Sequence, residues 1–476
     1  MFFQQIFEKK LAQYAYLIGC QKTGEAIVVD PMRDIERYEQ IAANNKLKIV
    51  AAVDTHIHAD YLTGMREFAE KGVHVYASDE GGSDWKYEWL AGSGYNYTFL
   101  YDGSEFNIGN IKFKAVYTPG HTPEHLSYLV TDGAVTDQPM GMLSGDFIFV
   151  GDVGRPDLLE TAAGQVGVME SSARVLYQSI KKFQTFPEYL QLWPGHGAGS
   201  ACGKALGTVP DSTVGYEQRF NGSVKAATSE QNFVEFILDG QPEPPLYFSR
   251  MKRDNKSGPR VLGDDIPLPK RISVPDFILD AQAGNTIILD TRSNSEFMHG
   301  HIAGSLHAPL NRSFNTIAGC YVQEDELIYL IAHHSKIEET VLDLIRIGLD
   351  NCVAYITPQD LIDYWESGCE LTHTETITFD DVDELLNSGT YTLLDVRKKT
   401  EFNEGHHPDA VNIAHTRLAE RMCELPKDIP VLVHCQSGGR ASSAASVLER
   451  EGFSVKYVDD LVEPWLKKHQ WLPVMQ

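Results

Sequence analysis

The chain has 476 residues, too many for one hydrophobic core, so we expect about two to four domains of roughly 100–200 residues each. Its 41 Lys and Arg against 66 Asp and Glu give a net charge of −25, which argues against nucleic acid or an anionic membrane as the main partner. No stretch approaches the roughly 18 apolar residues of a membrane span. The seven scattered cysteines indicate a reducing compartment and the N-terminus lacks a signal-peptide pattern, so we expect a cytoplasmic protein.

A first domain of mixed strands and helices is predicted over residues 1–245. Short apolar runs, such as EAIVVDP at 25–31 and MLSGDFIFV at 142–150, are typical of buried strands. Segments such as 33–45 and 165–184 have the spacing of amphipathic helices. The mixture predicts a layered α/β architecture.

Histidine and aspartate side chains follow several predicted strands of this domain, in THIHADYLTG, TPGHTPEH, LSGDFIF and WPGHGAGSACGK. The candidates are His56, His58, Asp60, His121, Asp146 and His196. A single histidine on such a turn is more often structural than functional. Because these residues all come at strand ends, they can converge on one point, and the set as a whole predicts a metal site.

The pattern His-x-His-x-Asp with later His, Asp and His resembles the metallo-β-lactamase fold over about residues 1–245. Its context, THIHADYLTG with PGHTPEH and SGDFIFVGDVGRPDL, is similar to the persulfide dioxygenases of that superfamily. The resemblance implies an αββα sandwich with the metal at one edge. One departure is that Asp60 is followed by Tyr61, where the signature has a histidine that helps to bind a second metal. This change disfavours a dinuclear zinc site.

The remaining residues predict one Fe(II) per chain, held by His56, His121 and Asp146. Two imidazoles and one carboxylate with open positions are the ligand set of non-haem iron oxygenases. We expect His58, Asp60 and His196 to orient these ligands or to hold a second metal. Zinc can replace iron in a preparation, and a degraded site without metal is the alternative.

Three further residues near the predicted metal are candidates for substrate binding: Arg155, Cys202 and Lys204. The resemblance places Arg155 near a thiol substrate such as glutathione, coenzyme A or a cysteine derivative, whose carboxylate a guanidinium suits. Its alternative role is an ion pair with Asp152 or Asp157. Cys202 could carry sulfane sulfur or be a small buried apolar residue, and Lys204 could attract the substrate or be a solvated surface residue.

Residues 246–269 are polar with Gly and Pro and are predicted to be a linker. An internal repeat follows: LDTRSNSEFMHGHIAGSLHAPLN begins at Leu289, and LDVRKKTEFNEGHHPDAVNIAHT begins at Leu394, 105 residues later. The repeat predicts two small α/β domains, 270–368 and 369–476, each near the usual domain size.

The sequence VLVHCQSGGRASS near the C-terminus predicts a strand, a cysteine loop and a helix. The loop consists of Cys435, Gln436, Ser437, Gly438, Gly439 and Arg440. Its backbone N–H groups and the helix N-terminus favour an anion at the sulfur, which lowers the thiol pKa and raises nucleophilicity. The loop and LDVR resemble the rhodanese family, which implies sulfur transfer. Tyrosine-phosphatase-like enzymes have five residues between Cys and Arg, whereas four stand here, so a sulfur atom fits better than a phosphate.

The first repeat copy keeps the scaffold but has no cysteine in ELIYLIAHHSKIEETVLDLIRIGL, and it resembles an inactive rhodanese domain. Together the motifs predict a non-haem Fe(II) persulfide dioxygenase that oxidises a thiol persulfide with O2 to sulfite, with a sulfurtransferase at Cys435 that makes thiosulfate. The alternatives are a zinc thioesterase of the glyoxalase II type and a non-catalytic sulfur carrier or persulfide sensor. The resemblance implies a homo-oligomer.

Overall fold

The computed structural model describes residues 1–158, 167–263 and 266–472. Parts of the predicted helix, linker and last domain lie outside the described residues, at 165–166, 264–265 and 473–476. Contacts between residues divide the chain into two units. They are Met1–Ile266 with Arg346–Gly348, and Pro267–Ile345 with Leu349–Gln476. Within the described ranges, none of the helices has the length and apolar character needed to cross a membrane.

Two six-stranded sheets form the centre of the first unit. The first sheet contains β1 (Phe2–Glu8), β2 (Gln13–Cys20), β3 (Glu25–Val29), β4 (Lys48–Val53), β5 (His74–Ser78) and β6 (Tyr97–Leu100). The second contains β7 (Glu105–Ile108), β8 (Ile111–Tyr117), β9 (Leu126–Asp132), β10 (Gly141–Gly145), β11 (Gln191–Pro194) and β12 (Ser212–Thr213). The strands lie in chain order in the first sheet, and in the order β12-β11-β10-β9-β8-β7 in the second.

Seven described helices accompany these sheets. They are α1 (Glu36–Asn44), α2 (Met65–Glu70), α3 (Met169–Phe183), α4 (Val214–Phe220), α5 (Gly222–Ala226), α6 (Glu230–Leu238) and α7 (Phe248–Ser257). Because strand side chains alternate between faces, Ala15 and Leu17 of β2 pack with α1 and α2, whereas Tyr16 and Ile18 pack against the second sheet. Three apolar layers therefore lie between four layers of structure.

The outer face of the second sheet carries the third apolar layer. Met142 of β10 and Leu192 of β11 pack there with Leu176 of α3 and Phe233 of α6. The arrangement is the αββα sandwich expected from the sequence, and that prediction is confirmed. The loops after β4, β8, β10 and β11 carry the predicted metal-binding residues.

Residues 246–269 were predicted to be a linker. Phe248–Ser257 of this stretch form helix α7, so the prediction of an irregular linker was wrong there. Phe248, Met251 and Asn255 are buried in the first unit. They stand three and four positions apart, which places them on one helix face. Charged residues between them hide this pattern in the composition.

Two five-stranded parallel sheets form the second unit. The strands are β13 (Lys270–Arg271), β14 (Thr286–Asp290), β15 (Leu306–His307), β16 (Leu327–Ile331), β17 (Cys352–Ile356), β18 (Glu375–Ile377), β19 (Thr392–Asp395), β20 (Val411–Asn412), β21 (Val431–His434) and β22 (Val455–Val458). The orders β13-β17-β16-β14-β15 and β18-β22-β21-β19-β20 are equivalent. The sequence repeat therefore corresponds to a repeat of topology.

Helices pack beside both parallel sheets. They are α8 (Val274–Ala281), α9 (Asn294–His299), α10 (Phe314–Tyr321), α11 (Ile337–Arg346), α12 (Pro358–Glu366), α13 (Phe379–Asn387), α14 (Lys399–Glu404), α15 (Leu418–Arg421), α16 (Gly439–Arg450) and α17 (Val462–Lys468). Because contacts place both sheets in one unit, the predicted boundary between residues 368 and 369 stays a prediction.

Candidate metal centre and cysteine loop

Three predicted ligands meet at one edge of the αββα sandwich, where β4, β8 and β10 end. The ligand atoms of His56, His121 and Asp146 all lie within 4.8 Å of one another, and all three side chains are buried. The Asp146 Oδ2 atom is 3.9 Å from His56 Nε2 and 3.5 Å from His121 Nε2. Ligand atoms about 2.1 Å from one metal are roughly 3–4 Å apart, so this spacing suits a single ion. Among the described residues, no hydrogen-bond partner is found for either Asp146 carboxylate oxygen, which leaves both available to a metal.

Hydrogen bonds orient the two imidazoles. His121 Nδ1 donates to the Arg155 carbonyl at 3.1 Å, and His56 Nδ1 donates to Thr55 Oγ1 at 2.9 Å. Thr55 Oγ1 in turn donates to Asp30 Oδ2 at 3.1 Å. Burial lowers the pKa of both histidines, and neighbouring histidines add to the effect at His56. Both rings are therefore neutral and present Nε2, the state that binds a metal.

His125 and Gly195 lie against Asp146. His125 Nε2 accepts from the Asp146 N–H at 3.1 Å, while its Nδ1 lies 2.9 Å from Thr118 Oγ1. The His125 ring also stacks on His56, with 5.1 Å between ring centroids. A Cβ atom at Gly195 would come within 2.5 Å of Asp146 Oδ1, so only glycine fits there. His125 was not among the predicted site residues, although it lies in the same PGHTPEH motif as His121.

A second set of donors lies beside the first. The ligand atoms of Asp60, His196 and Cys202 are within 4.8 Å of one another, and all three side chains are buried. His196 Nε2 is 3.4 Å from both Asp60 Oδ2 and Asp146 Oδ2. Burial, with Asp60 and Asp146 nearby, raises the pKa of the Cys202 thiol well above its usual value. The absence of a histidine at position 61 therefore does not by itself remove a second set of ligands.

His58 does not join either set. Its Nε2 atom is 3.2 Å from Asp30 Oδ1, and its ligand atom clusters with Asp30 and Asp54. Burial lowers the pKa of His58, but Asp30 outweighs that effect and raises it to about 9. His58 is thus an ion-pair partner of Asp30. Asp30 was not among the predicted site residues, although it follows strand β3 just as the predicted ligands follow their strands.

The loop between His58 and Thr63 is tied to helix α7. Asn255 Nδ2 donates to the carbonyls of His58 and Tyr61, each at 2.8 Å, and Asn255 Oδ1 accepts from the Thr63 N–H at 2.9 Å. The Tyr61 hydroxyl donates to the Asp30 carbonyl at 3.3 Å. Tyr61 is therefore held by hydrogen bonds at its carbonyl and at its hydroxyl, which also accepts from Gln13 Nε2 at 3.2 Å.

Two of the three candidate substrate residues are engaged elsewhere. Arg155 is only 1% exposed, and its guanidinium makes a bidentate pair with Asp157 and a hydrogen bond to the Ala201 carbonyl. This geometry favours the ion-pair interpretation. Lys204 Nζ donates to the carbonyls of Phe236 and Asp239, at 2.7 and 2.9 Å. It therefore caps the C-terminal end of α6.

The second candidate site is the loop between β21 and α16. Cys435 is 2% exposed and follows the strand directly. Arg440 makes a bidentate pair with Glu401, at 2.6 and 2.8 Å, and both Glu401 and the nearby Cys435 raise the pKa of its guanidinium. Gly438 has a φ of 90°, a left-handed conformation that favours glycine. The loop thus places an arginine beside a buried nucleophilic sulfur.

The first copy lacks this chemistry at the equivalent position. Asp290 pairs with Ile331 in the first sheet, and Asp395 pairs with His434 in the second. The residue after Ile331, Ala332, therefore occupies the position of Cys435. The ion pair of the Asp-x-Arg motif is nevertheless kept in both copies.

Known protein families match the two units of the chain separately. Residues 9–196 match the metallo-beta-lactamase superfamily, and residues 274–357 and 378–468 match the rhodanese-like domain. A crystal structure of a metallo-beta-lactamase from Staphylococcus aureus subsp. aureus COL is 37% identical, with a TM-score of 0.66, and the match covers 75% of this chain and 98% of that one.

Two curated relatives match the first unit. Persulfide dioxygenase ETHE1, mitochondrial, of Bos taurus is 27% identical over 199 residues, covering 40% of this chain and 67% of the relative. The hydroxyacylglutathione hydrolase of Francisella tularensis subsp. novicida is 28% identical over 190 residues, covering 39% and 63%. The chain belongs to the metallo-beta-lactamase superfamily and carries two rhodanese-like domains after its metallo-beta-lactamase domain.

Proposed function

We propose that this protein is a persulfide dioxygenase with one Fe(II) per chain, joined to a sulfurtransferase that acts through Cys435. The observation that carries the first part is the buried trio of His56, His121 and Asp146, whose carboxylate oxygens have no hydrogen-bond partner in the part of the chain that the structure describes. Two imidazoles and one carboxylate are the ligand set of non-haem iron oxygenases. The ETHE1 relative, named a persulfide dioxygenase, supports the same choice.

The chain's own residues prepare the site for this chemistry. A bound Fe(II) supplies the electron chemistry by which O2 oxidises the terminal sulfur of a persulfide. Thr55 and the Arg155 carbonyl hold the imidazoles in the tautomer that presents Nε2. Burial keeps bulk water away from the ligand atoms. The overall reaction converts R–S–SH, O2 and H2O to R–SH, HSO3⁻ and H⁺.

The sulfurtransferase step uses Cys435. Its thiolate attacks the outer sulfur of R–S–SH, the S–S bond breaks, and R–S⁻ leaves with the electron pair. Sulfite then attacks the outer sulfur of the Cys435 persulfide, which gives thiosulfate and restores the thiol. The charge of Arg440 beside the sulfur stabilises the anionic forms. Sequential action in one chain would limit release of sulfite.

Anaerobic purification with metal analysis, followed by O2 uptake with glutathione persulfide, tests both parts. We expect iron near one per chain and equal O2 uptake in wild type and Cys435→Ser, with thiosulfate formed only by wild type. Cys423→Ser, which changes an exposed cysteine, is the matched control and should behave as wild type. Iron-loaded wild type that consumes no O2 would contradict the dioxygenase.

A zinc-dependent thioesterase of the glyoxalase II type is the second candidate, and one observation favours it. Asp60, His196 and Cys202 form a second donor set beside the first. Two metals per chain and cleavage of S-lactoylglutathione would support this hydrolase. We expect no such cleavage, because Tyr61 stands where the signature of this fold has a histidine that helps to bind a second metal.

The partners and compartment follow from the proposed reaction. We propose a low-molecular-weight thiol persulfide, O2 and sulfite as small-molecule partners, and a homo-oligomer as the assembly. The seven cysteines all lie in the described part of the chain and none of them forms a disulfide, which supports a reducing compartment such as the cytoplasm.

A further inference from the structure

A polar cavity of about 290 Å³ opens within the second unit, where the two rhodanese-like copies meet. The first copy, the connection between the copies and the second copy each contribute to its wall. The lining residues are Ser295, Met298, His299, His373, Thr374, Thr376, Tyr457 and Asp459. None of the proposed chemistry uses these residues.

The cavity shares a wall with the cysteine loop. A Cβ atom at Gly438, three residues after Cys435, would lie 2.3 Å from the Tyr457 hydroxyl and 2.7 Å from Asp459 Oδ1. The Tyr457 hydroxyl donates to Asp459 Oδ1 at 2.9 Å, which fixes the two side chains together. Tyr457 and Asp459 therefore touch the loop and also line the cavity.

Contacts of the first copy with helix α16 hold the opposite wall in place. Ser442 Oγ donates to Asn294 Oδ1 at 3.2 Å, next to Ser295 in the lining. The His307 N–H donates to Ser446 Oγ at 2.9 Å. Because α16 begins at the cysteine loop, these bonds fix the first copy relative to Cys435.

The side chains of the cavity offer groups for both charges of an amino acid. His299 and His373 are exposed, with 6.3 Å between ring centroids, and imidazole N–H groups donate to a carboxylate. The Asp459 carboxylate accepts from an ammonium group. A tripeptide-sized chain reaches roughly 10 Å, enough to extend from a neighbouring sulfur into such a cavity.

We propose that this cavity binds the α-amino-acid end of the thiol that delivers sulfur to Cys435, a zwitterionic thiol of the glutathione or cysteine class. The inference rests on the proposed sulfurtransferase function and gives the inactive copy a role in substrate recognition. The bound thiol persulfide passes its outer sulfur to the Cys435 thiolate, and the R–S⁻ that leaves takes up a proton. No further oxidant or reductant is needed.

Steady-state sulfur transfer by the full chain without O2 tests the proposal. The variant is His299→Ala with His373→Ala, and the control is His333→Ala, an exposed histidine of the first copy that does not line the cavity. Donors are glutathione persulfide and coenzyme A persulfide, each with sulfite, and thiosulfate with cyanide. We expect a rise of at least about tenfold in KM for glutathione persulfide, because two hydrogen bonds to a charged group are lost.

The other donors separate the outcomes. Coenzyme A persulfide and thiosulfate lack an α-amino-acid end, so their kcat/KM should change less than about twofold. An unchanged KM for glutathione persulfide, or an equal loss with all donors, would overturn the proposed cavity role. Wild type that transfers sulfur from none of the donors would instead refute the sulfurtransferase itself.

Discussion

Replacing Asn255 by Ala tests how helix α7 supports the metal centre. Asn255 is fully buried and makes three hydrogen bonds to the backbone of His58, Tyr61 and Thr63. Its loss leaves two carbonyls and one N–H buried without partners. At about 1 kcal/mol for each bond, the first unit should lose about 3 kcal/mol of unfolding free energy. This loss corresponds to a fall of roughly 6–12 °C in Tm for a unit of this size.

Calorimetry of the full chain measures this change, and iron content reports on the metal centre. Because the loop carries Asp60 and begins two residues after His56, we also expect less iron retained after dialysis against a chelator. Asn45→Ala, which removes an exposed asparagine of the same unit, is the matched control. A Tm within 2 °C of wild type, with unchanged iron retention, would refute the supporting role of α7.

Three further predictions concern single side chains. Glu401→Gln weakens the bidentate pair with Arg440, so sulfur transfer should fall about tenfold in kcat/KM while O2 uptake is unchanged; equal transfer would contradict this role. Burial lowers the pKa of His307 to about 4, against about 6.5 when unfolded, so protonation favours the unfolded chain and stability falls as pH drops through this range. In wild type, this effect should lower the free energy of unfolding by up to about 3 kcal/mol as the pH falls from about 6.5 to about 4. Urea unfolding of His307→Gln should lack this loss, and the same dependence on pH in both proteins would argue against the prediction. Tyr61→Phe should cost about 1 kcal/mol and leave O2 uptake within twofold, whereas a tenfold loss would assign Tyr61 a chemical role.

The fold could be predicted because its signals are local. Continuous apolar runs identified the strands, and the repeat from Leu289 and Leu394 identified two copies of one topology. Helix α7 was missed, because its buried face consists of only a few residues among Lys, Arg and Asp. The contact between Asn255 and the loop around Tyr61 could not be predicted from the local sequence, since it depends on tertiary packing.

Most residues of the candidate metal centre could be predicted from the sequence, but which of them lie together could be predicted only in part. Strand-end positions brought His56, His121 and Asp146 together as expected. The side-chain direction of His58 was not predictable, because it is set by Asp30, which follows strand β3. Arg155 likewise has a buried partner only two residues away, and the choice between ligand and ion pair required the structure.

Oxygen stoichiometry tests the central claim most directly. Iron-loaded Cys435→Ser, given glutathione persulfide in an oxygen electrode, isolates the reaction of the metal centre from sulfur transfer. We predict that one O2 is consumed for each sulfite formed. Adding Asp146→Ala to this variant should lower the rate at least about a hundredfold, which is about 3 kcal/mol in activation free energy. Iron-loaded protein that forms no sulfite, or that keeps its rate without Asp146, would contradict the assignment of this site as a persulfide dioxygenase.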